Sequence, residues 1–201
     1  YTSHDGNKTD YSWLAVAVQT PAYDHFPAQY QIWYAGKARN SFWYNPVFKV
    51  NTLDGKSVWR RSDYRCKRED TPGTFTFTFM DNGVTSKEYW RIVDAADDLS
   101  WALYYYAGAA KSAGQMYVGA VLATPDGLWP PTREMERVEK ALWEGCGCKM
   151  WEMMEVDNRP DVIANAPLQP LHDVVLKPSL ILPCSVSETK KAALIEGVVV
   201  K

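Results

Sequence analysis

The chain has 201 residues and carries 22 Lys or Arg against 24 Asp or Glu, a formal charge of −2. It is long enough for one hydrophobic core that needs no staples, and its charge excludes a chain-wide affinity for polyanions. No apolar run approaches the ~18 residues of a membrane-spanning helix, so a soluble or peripheral protein is expected. The chain opens at Tyr1 with no initiator Met and no cleavable signal, so any targeting segment is expected to have been removed or to lie outside this sequence, and the N-terminus does not indicate a compartment.

From Tyr11 to about Thr124 apolar and polar residues alternate with a period of two, the mark of half-buried strands. In chain order, strands are expected at 11–18, 28–34, 41–50, 56–64, 74–79, 87–94, 100–108 and 115–124. The clearest is "TFTFTF", where Phe75, Phe77 and Phe79 share one face and the threonines the other. Asp54-Gly55 and Asn82-Gly83 suit tight hairpins, while Asp97-Asp98 and Ala113-Gly114 suit longer ones. Pro46 cannot donate to a ladder, so an edge, bend or bulge is expected there. The basic stretch Lys37 to Glu69, nine Lys or Arg against three acids, is read as the solvated face of a hairpin rather than a contact for nucleic acid or lipid.

Beyond Pro130-Pro131 the period changes. Thr132 as a cap, with Met135, Val138 and Leu142 on one face, predicts a helix stopped by Gly145 and Gly147. Lys149 to Val156 reads as a short ninth strand. Eight meandering strands followed by one helix give an all-β fold, an up-and-down antiparallel barrel that holds one small ligand. The expected division is a barrel with its helix over 1–158 and an extended, proline-spaced tail over 159–201. The tail is rich in Val, Leu and Ile, and it either docks on a partner chain or wraps back over its own barrel.

Cys66, Cys146, Cys148 and Cys184 allow three pairings if all are oxidised, and nothing in the sequence selects one. Cys-Gly-Cys at 146–148 is tighter than a C-x2-C zinc knuckle and the three histidines are scattered, so no metal site is expected.

Ordered along the chain, "PAYDHFPAQ" (21–29), "VNTLDG" (50–55), "FMDNG" (79–83), "YWRIVD" (89–94), "LYYYAG" (103–108) and "VGAVLAT" (118–124) carry a likeness. Over roughly Tyr11 to Val156 the chain resembles the lipocalin-like domain of violaxanthin de-epoxidase and, more closely, the violaxanthin de-epoxidase-related proteins. The resemblance implies a lipocalin-like barrel in the chloroplast, at the thylakoid on its lumen side or peripheral to the membrane, with a xanthophyll or other carotenoid as ligand. De-epoxidases open an epoxide with a protonated carboxylic acid and use ascorbate as reductant. That chemistry needs a raised carboxyl pKa in an apolar cavity.

The motifs transfer in part. Asp24 keeps the first carboxylate of the family's P-x-F-D-x-F-D-C-Q stretch, whereas Pro27 stands at the second and Ala28 at its cysteine. Where the enzymes carry an acidic pair before a Trp, this chain reads Glu88-Tyr89-Trp90, so the catalytic position holds Tyr89, a poor proton donor beside a carboxylic acid. The family's pocket tyrosines correspond to Tyr105 and Tyr106. The enzymes also carry a cysteine-rich domain ahead of the barrel and a glutamate-rich segment behind it; here ten residues precede the first expected strand and the tail holds four acids.

Candidate ligand contacts are therefore Tyr23, Asp24, Phe26, Gln29, Tyr89, Trp90, Tyr105 and Tyr106, with Asp24 the candidate acid. Adjacent strand residues face opposite ways, so one of Tyr105 and Tyr106, and one of Tyr89 and Trp90, can meet a ligand. Glu88 shares the face of Trp90 and is read as exposed; Asp24 is read as a loop carboxylate at the rim. The leading expectation is a non-catalytic plastid protein that serves, through its tail, as a subunit or assembly factor of a thylakoid complex such as a photosystem with its antennae. A carrier of a xanthophyll or other apolar ligand is the alternative, and an ascorbate-dependent de-epoxidase using Asp24 the third.

Overall fold

The computed structural model describes residues 12–19, 28–35, 40–81, 83–110 and 114–168. One antiparallel sheet contains β1 (Ser12–Gln19), β2 (Gln29–Ala35), β3 (Ser41–Asn51), β4 (Ser57–Arg61), β5 (Tyr64–Arg68), β6 (Thr74–Asp81), β7 (Val84–Ala95), β8 (Ala102–Ala110), β9 (Gln115–Thr124) and β10 (Met154–Glu155). β1 pairs with β2 over Ser12 to Leu14 and with β9 over Leu14 to Gln19, which closes the sheet into a barrel. β4 and β5 pair with successive parts of β3, Val47 to Asn51 and Ser41 to Tyr44, and together form one interrupted wall strand. The wall thus has the eight strands that the alternation predicts.

The interruption lies beside Pro46. The proline pairs with Gln31 of β2 on one side, and on the other its carbonyl accepts from the Ser62 amide at 3.1 Å. With no N–H to give, it cannot sustain a continuous neighbour there. The bend expected at Pro46 is therefore a break in the adjoining strand, which resumes at Tyr64 and runs on to Arg68 instead of ending at Tyr64.

Two bulges reverse the in-and-out alternation, between Ala15 and Ala17 in β1 and between Ile92 and Asp94 in β7. Ahead of the second, Trp90 and Ile92 face the lumen; beyond it Asp94 turns outward to helix α1 (Thr132–Cys146). Arg137 of α1 donates from Nε to Asp94 Oδ2 at 2.9 Å and from one terminal nitrogen to Asp94 Oδ1 at 3.0 Å and the Ala95 carbonyl at 2.8 Å. Val138 and Leu142 on the same helix are fully buried against Trp101, Leu103 and Leu122. Burial of two such side chains contributes about 1.5–3 kcal/mol each.

The ends of α1 depart from expectation. Pro131, not Thr132, occupies the cap position, and no side chain caps the helix. Gly145 lies inside the helix, where a Cβ would strike the Val93 side chain, so the missing side chain lets α1 rest on the β7 bulge. Gly147, in the left-handed region at φ 67°, is the residue that ends it. The expected ninth strand shrinks to a single 3-10 turn at Met150–Glu152 and the two-residue β10, which pairs with Ala17 and Val18 of β1.

Where the tail begins, α2 (Pro160–Ile163) leads into a segment lying on the outside of the barrel. Ile163, Ala166 and Leu168 pack over Leu14, Tyr30, Ile32 and Val47. Two of the basic residues hold this segment, Lys49 donating to the Val162 carbonyl at 3.0 Å and Arg61 to the Pro167 carbonyl at 2.9 Å. Residues 160–168 thus wrap the parent barrel, while 169–201 lie outside the described residues. Cys66, Cys146 and Cys148 are free thiols, and Cys184 is outside the described residues.

Arg137→Met removes two of the bonds accepted by the Asp94 carboxylate, which is 9% exposed. Urea unfolding is expected to show a loss of about 1–3 kcal/mol, partly recovered when Asp94→Asn is added. An unchanged midpoint contradicts this role for the pair.

Candidate functional site

The lumen is lined with rings. Trp33 stacks on Tyr44 at a centroid distance of 4.3 Å and on Tyr104 at 6.2 Å, and meets Phe75 edge-on at 5.4 Å. Trp90 stacks on Tyr106 at 5.3 Å, and Tyr64 on Phe77 at 5.1 Å. Each such contact adds about 0.5–1.5 kcal/mol beyond area burial. Ala15, Ala95, Ala102 and Ala123 belong to the same cluster. They are successive partners across β7, β8, β9 and β1, one row of small side chains in the lining.

Among the described residues, the register inserts the Glu88 carboxyl into this lining. Cys66, Phe77, Glu88, Gly108 and Tyr117 are successive partners across β5, β6, β7, β8 and β9. Because Gly108 has no side chain, the Tyr117 ring lies across it; a Cβ there would fall within the ring. The Tyr117 hydroxyl donates to Glu88 Oε1 at 2.6 Å, and the Trp90 indole N–H donates to Glu88 Oε2 at 2.6 Å. Each carboxyl oxygen therefore has one short, well-supported hydrogen bond.

Burial is the main influence on this group and pushes the Glu88 carboxyl above the ordinary glutamate range, against the opposing pull of the bonds from Tyr117 and Trp90. Burial, then the nearby Glu88 charge, drives the Tyr44 hydroxyl and the Cys66 thiol well above their usual values. Both stay neutral at physiological pH. Glu88 can thus accept hydrogen bonds when ionised and donate one when protonated.

Of the residues singled out from sequence, Tyr23, Asp24 and Phe26 lie outside the described residues. Gln29 faces inward, its Nε2 donating to the Tyr44 hydroxyl at 3.3 Å. Trp90 and Tyr106 face the lumen, and the Tyr106 hydroxyl donates to the Gln19 carbonyl at 3.2 Å. By alternation Tyr89 and Tyr105 face outward, and Arg91 sits over the Tyr105 ring at 5.5 Å. The position that the resemblance assigns to catalysis therefore points away from the lumen.

Glu88 is the correction. It shares the face of Trp90 as expected, but that face is the interior. Tyr117, Cys66 and Tyr44 were likewise not singled out, although the "YVGAV" strand already placed Tyr117 two residues from Gly119, in step with the lumen face.

No protein-family model matches the chain, and no curated protein matches it. Solved structures do. Lipocalin 12 from rat epididymis superposes with a TM-score of 0.52 at 16% identity, over 84% of this chain and 90% of that one. The bovine lipocalin allergen Bos d 2 gives 0.51 at 9% identity, over 72% and 89%. The siderocalin Ex-FABP, described as functioning through dual ligand specificities, gives 0.50 at 12% identity, over 72% and 91%. The chain has the lipocalin fold: a closed eight-stranded antiparallel barrel with one main helix packed on its outside.

The raised carboxyl predicts a pH dependence of stability. Below the ordinary glutamate pKa of about 4.3 the group is protonated in folded and unfolded chains alike. As pH rises through the raised folded value, ionisation favours unfolding and stability falls. In chemical denaturation, wild-type stability relative to Glu88→Gln is expected to decline across that window and to level off above it. A difference that is constant from about pH 4 to 8 contradicts the interior placement.

Proposed function

We propose that this protein is a lipocalin-type container that holds one small, largely apolar, ring-bearing molecule inside its barrel. The observation that carries this reading is the Glu88 carboxyl, held by Tyr117 and Trp90 within a lumen lined largely by aromatic and small apolar side chains. Apolar walls with a few convergent polar groups are the composition of a small-molecule site, the walls supplying affinity and the polar groups orientation. The solved lipocalins contribute the fold to this reading and no ligand.

The finer reading rests on the resemblance to the violaxanthin de-epoxidase-related proteins. On it, the ligand is a xanthophyll or other carotenoid, the location the chloroplast thylakoid, and the partner a photosystem with its antennae reached through the tail. The flat conjugated polyene of such a ligand suits packing on the rings of Trp90, Tyr106 and Tyr64.

Acid chemistry is the second reading, favoured by one observation: Glu88 meets the requirement for a raised carboxyl, the role that the third expectation gave to Asp24. In a reductive de-epoxidation Glu88 would protonate the epoxide oxygen. Ascorbate would supply two electrons and two protons overall, and the oxygen would leave as water.

The test is titration of the purified protein with carotenoids and smaller ring-bearing ligands, followed by tryptophan emission. Saturable quenching with one ligand per chain is the expected result; no uptake and unchanged emission across the series overturn the container. Incubation with violaxanthin and ascorbate at acidic pH is expected to give no turnover. Turnover abolished in Glu88→Gln would replace the container reading with the acid one.

A further inference from the structure

β2 runs against the usual arrangement of a barrel strand. Its polar residues Gln29 and Gln31 share the inward face with Trp33, while Tyr30 and Ile32 face outward beneath the start of the tail. Gln29 has the Tyr44 hydroxyl as partner. Gln31 is 0% exposed, and both its amide oxygen and its amide nitrogen lack a hydrogen-bond partner. The same holds for the indole N–H of Trp33, 5% exposed, and the hydroxyl of Tyr104, 1% exposed. These three residues are neighbours. Trp33 and Tyr104 are stacked at 6.2 Å, and Gln31 is the next inward residue along β2 from Trp33, opposite Trp13 of β1.

A buried polar atom without a partner costs about 1–3 kcal/mol, and native interiors satisfy nearly all such atoms. Four of them in one part of one lumen are expensive to keep. Met in place of Gln31 and Phe in place of Tyr104 would fill similar space without that cost, so packing alone does not account for them. Their combined chemistry is specific. The amide nitrogen, the indole and the phenol can donate, while the amide oxygen and the phenol can accept. None is charged, since burial holds the Tyr104 hydroxyl far above the physiological range. A carboxylate brought among them would be desolvated with no opposite charge to meet it, which costs several kcal/mol. An anion would also enter the lumen that already contains Glu88.

We infer that Gln31, Trp33 and Tyr104 form a buried subsite for a neutral hydroxyl or carbonyl group on an otherwise apolar ligand. This rests on the container reading and narrows it: the cargo is an oxygenated apolar molecule rather than a hydrocarbon or a fatty acid. The lumen then offers two polar points along aromatic walls, this trio and the Glu88 pair with Tyr117.

The full chain is titrated, by tryptophan emission and calorimetry, with β-ionol, β-ionone and the hydrocarbon of the same skeleton. Wild-type protein is expected to bind the oxygenated pair about 10-fold or more tightly than the hydrocarbon, the ratio for a site whose polar groups would otherwise stay unpaired. Gln31→Met and Tyr104→Phe are expected to lose that preference while still binding the hydrocarbon. Both are also expected to melt a few degrees higher than wild type when ligand-free. Equal binding of all three probes by wild type, or variants that keep the preference, overturns the subsite and leaves the container standing. Variants that melt lower with selectivity unchanged also overturn it, because the polar atoms are then satisfied within the fold. Failure of every probe to bind overturns the container reading, and the subsite with it.

Discussion

The pairing of β1 with β9 is the constraint on which the rest depends. Once Leu14 to Gln19 lies against Ala120 to Thr124, the sheet has an inside, and every wall residue is assigned to it or excluded from it by strand alternation. Slipping any strand by one residue would exchange Trp33 for Ile32, or Glu88 for Tyr89. The two bulges are the places where the assignment is deliberately reversed, and each reversal serves the helix. Ala17 and Asp94 turn outward to α1, leaving Val18 and Ala95 to line the lumen.

Within the closed wall, size and polarity are distributed unevenly. Rings come from strands all round the barrel, while Ala95, Ala102, Ala123 and Ala15 form one cross-strand row of small side chains. Against this background the polar residues stand out for opposite reasons. Glu88 is supported, each oxygen held by a donor whose reach depends on the neighbouring strand, above all by the gap that Gly108 leaves for Tyr117. Gln31, Trp33 and Tyr104 are unsupported by the chain. A supported carboxyl is a durable part of the fold, while an unsupported amide suits a contact completed from outside. The two arrangements together favour a binding site over a purely structural core.

The strands were legible because their signals are local. "TFTFTF" declares its buried face within six residues, and Asp54-Gly55 marks its hairpin without reference to anything distant. The features missed all depend on elements far apart in sequence. Glu88 was placed correctly beside Trp90 yet judged exposed, because an isolated carboxylate avoids an apolar interior; the donor that relieves this, Tyr117, lies 29 residues on. Gly145 looked like a helix stop, whereas its role is set by the approach of Val93 from β7. The break beside Pro46 needed knowledge of which strand adjoins it. Lys49 and Arg61 read as solvated cations until the carbonyls of Val162 and Pro167 arrived from more than a hundred residues away. Asp24, the candidate acid of the sequence, lies outside the described residues, while Glu88 is a carboxyl on the lumen face.

A half-buried carboxyl held by Tyr117 and Trp90 on the lumen face is the claim on which the proposed container rests, and carbon NMR of the Glu88 side chain observes it directly. Following the Glu88 carboxyl carbon against pH in the ligand-free protein should give a midpoint above the ordinary glutamate value of about 4.3. A midpoint at or below that value would mean that burial does not outweigh the bonds from Tyr117 and Trp90, and would contradict the account of this carboxyl.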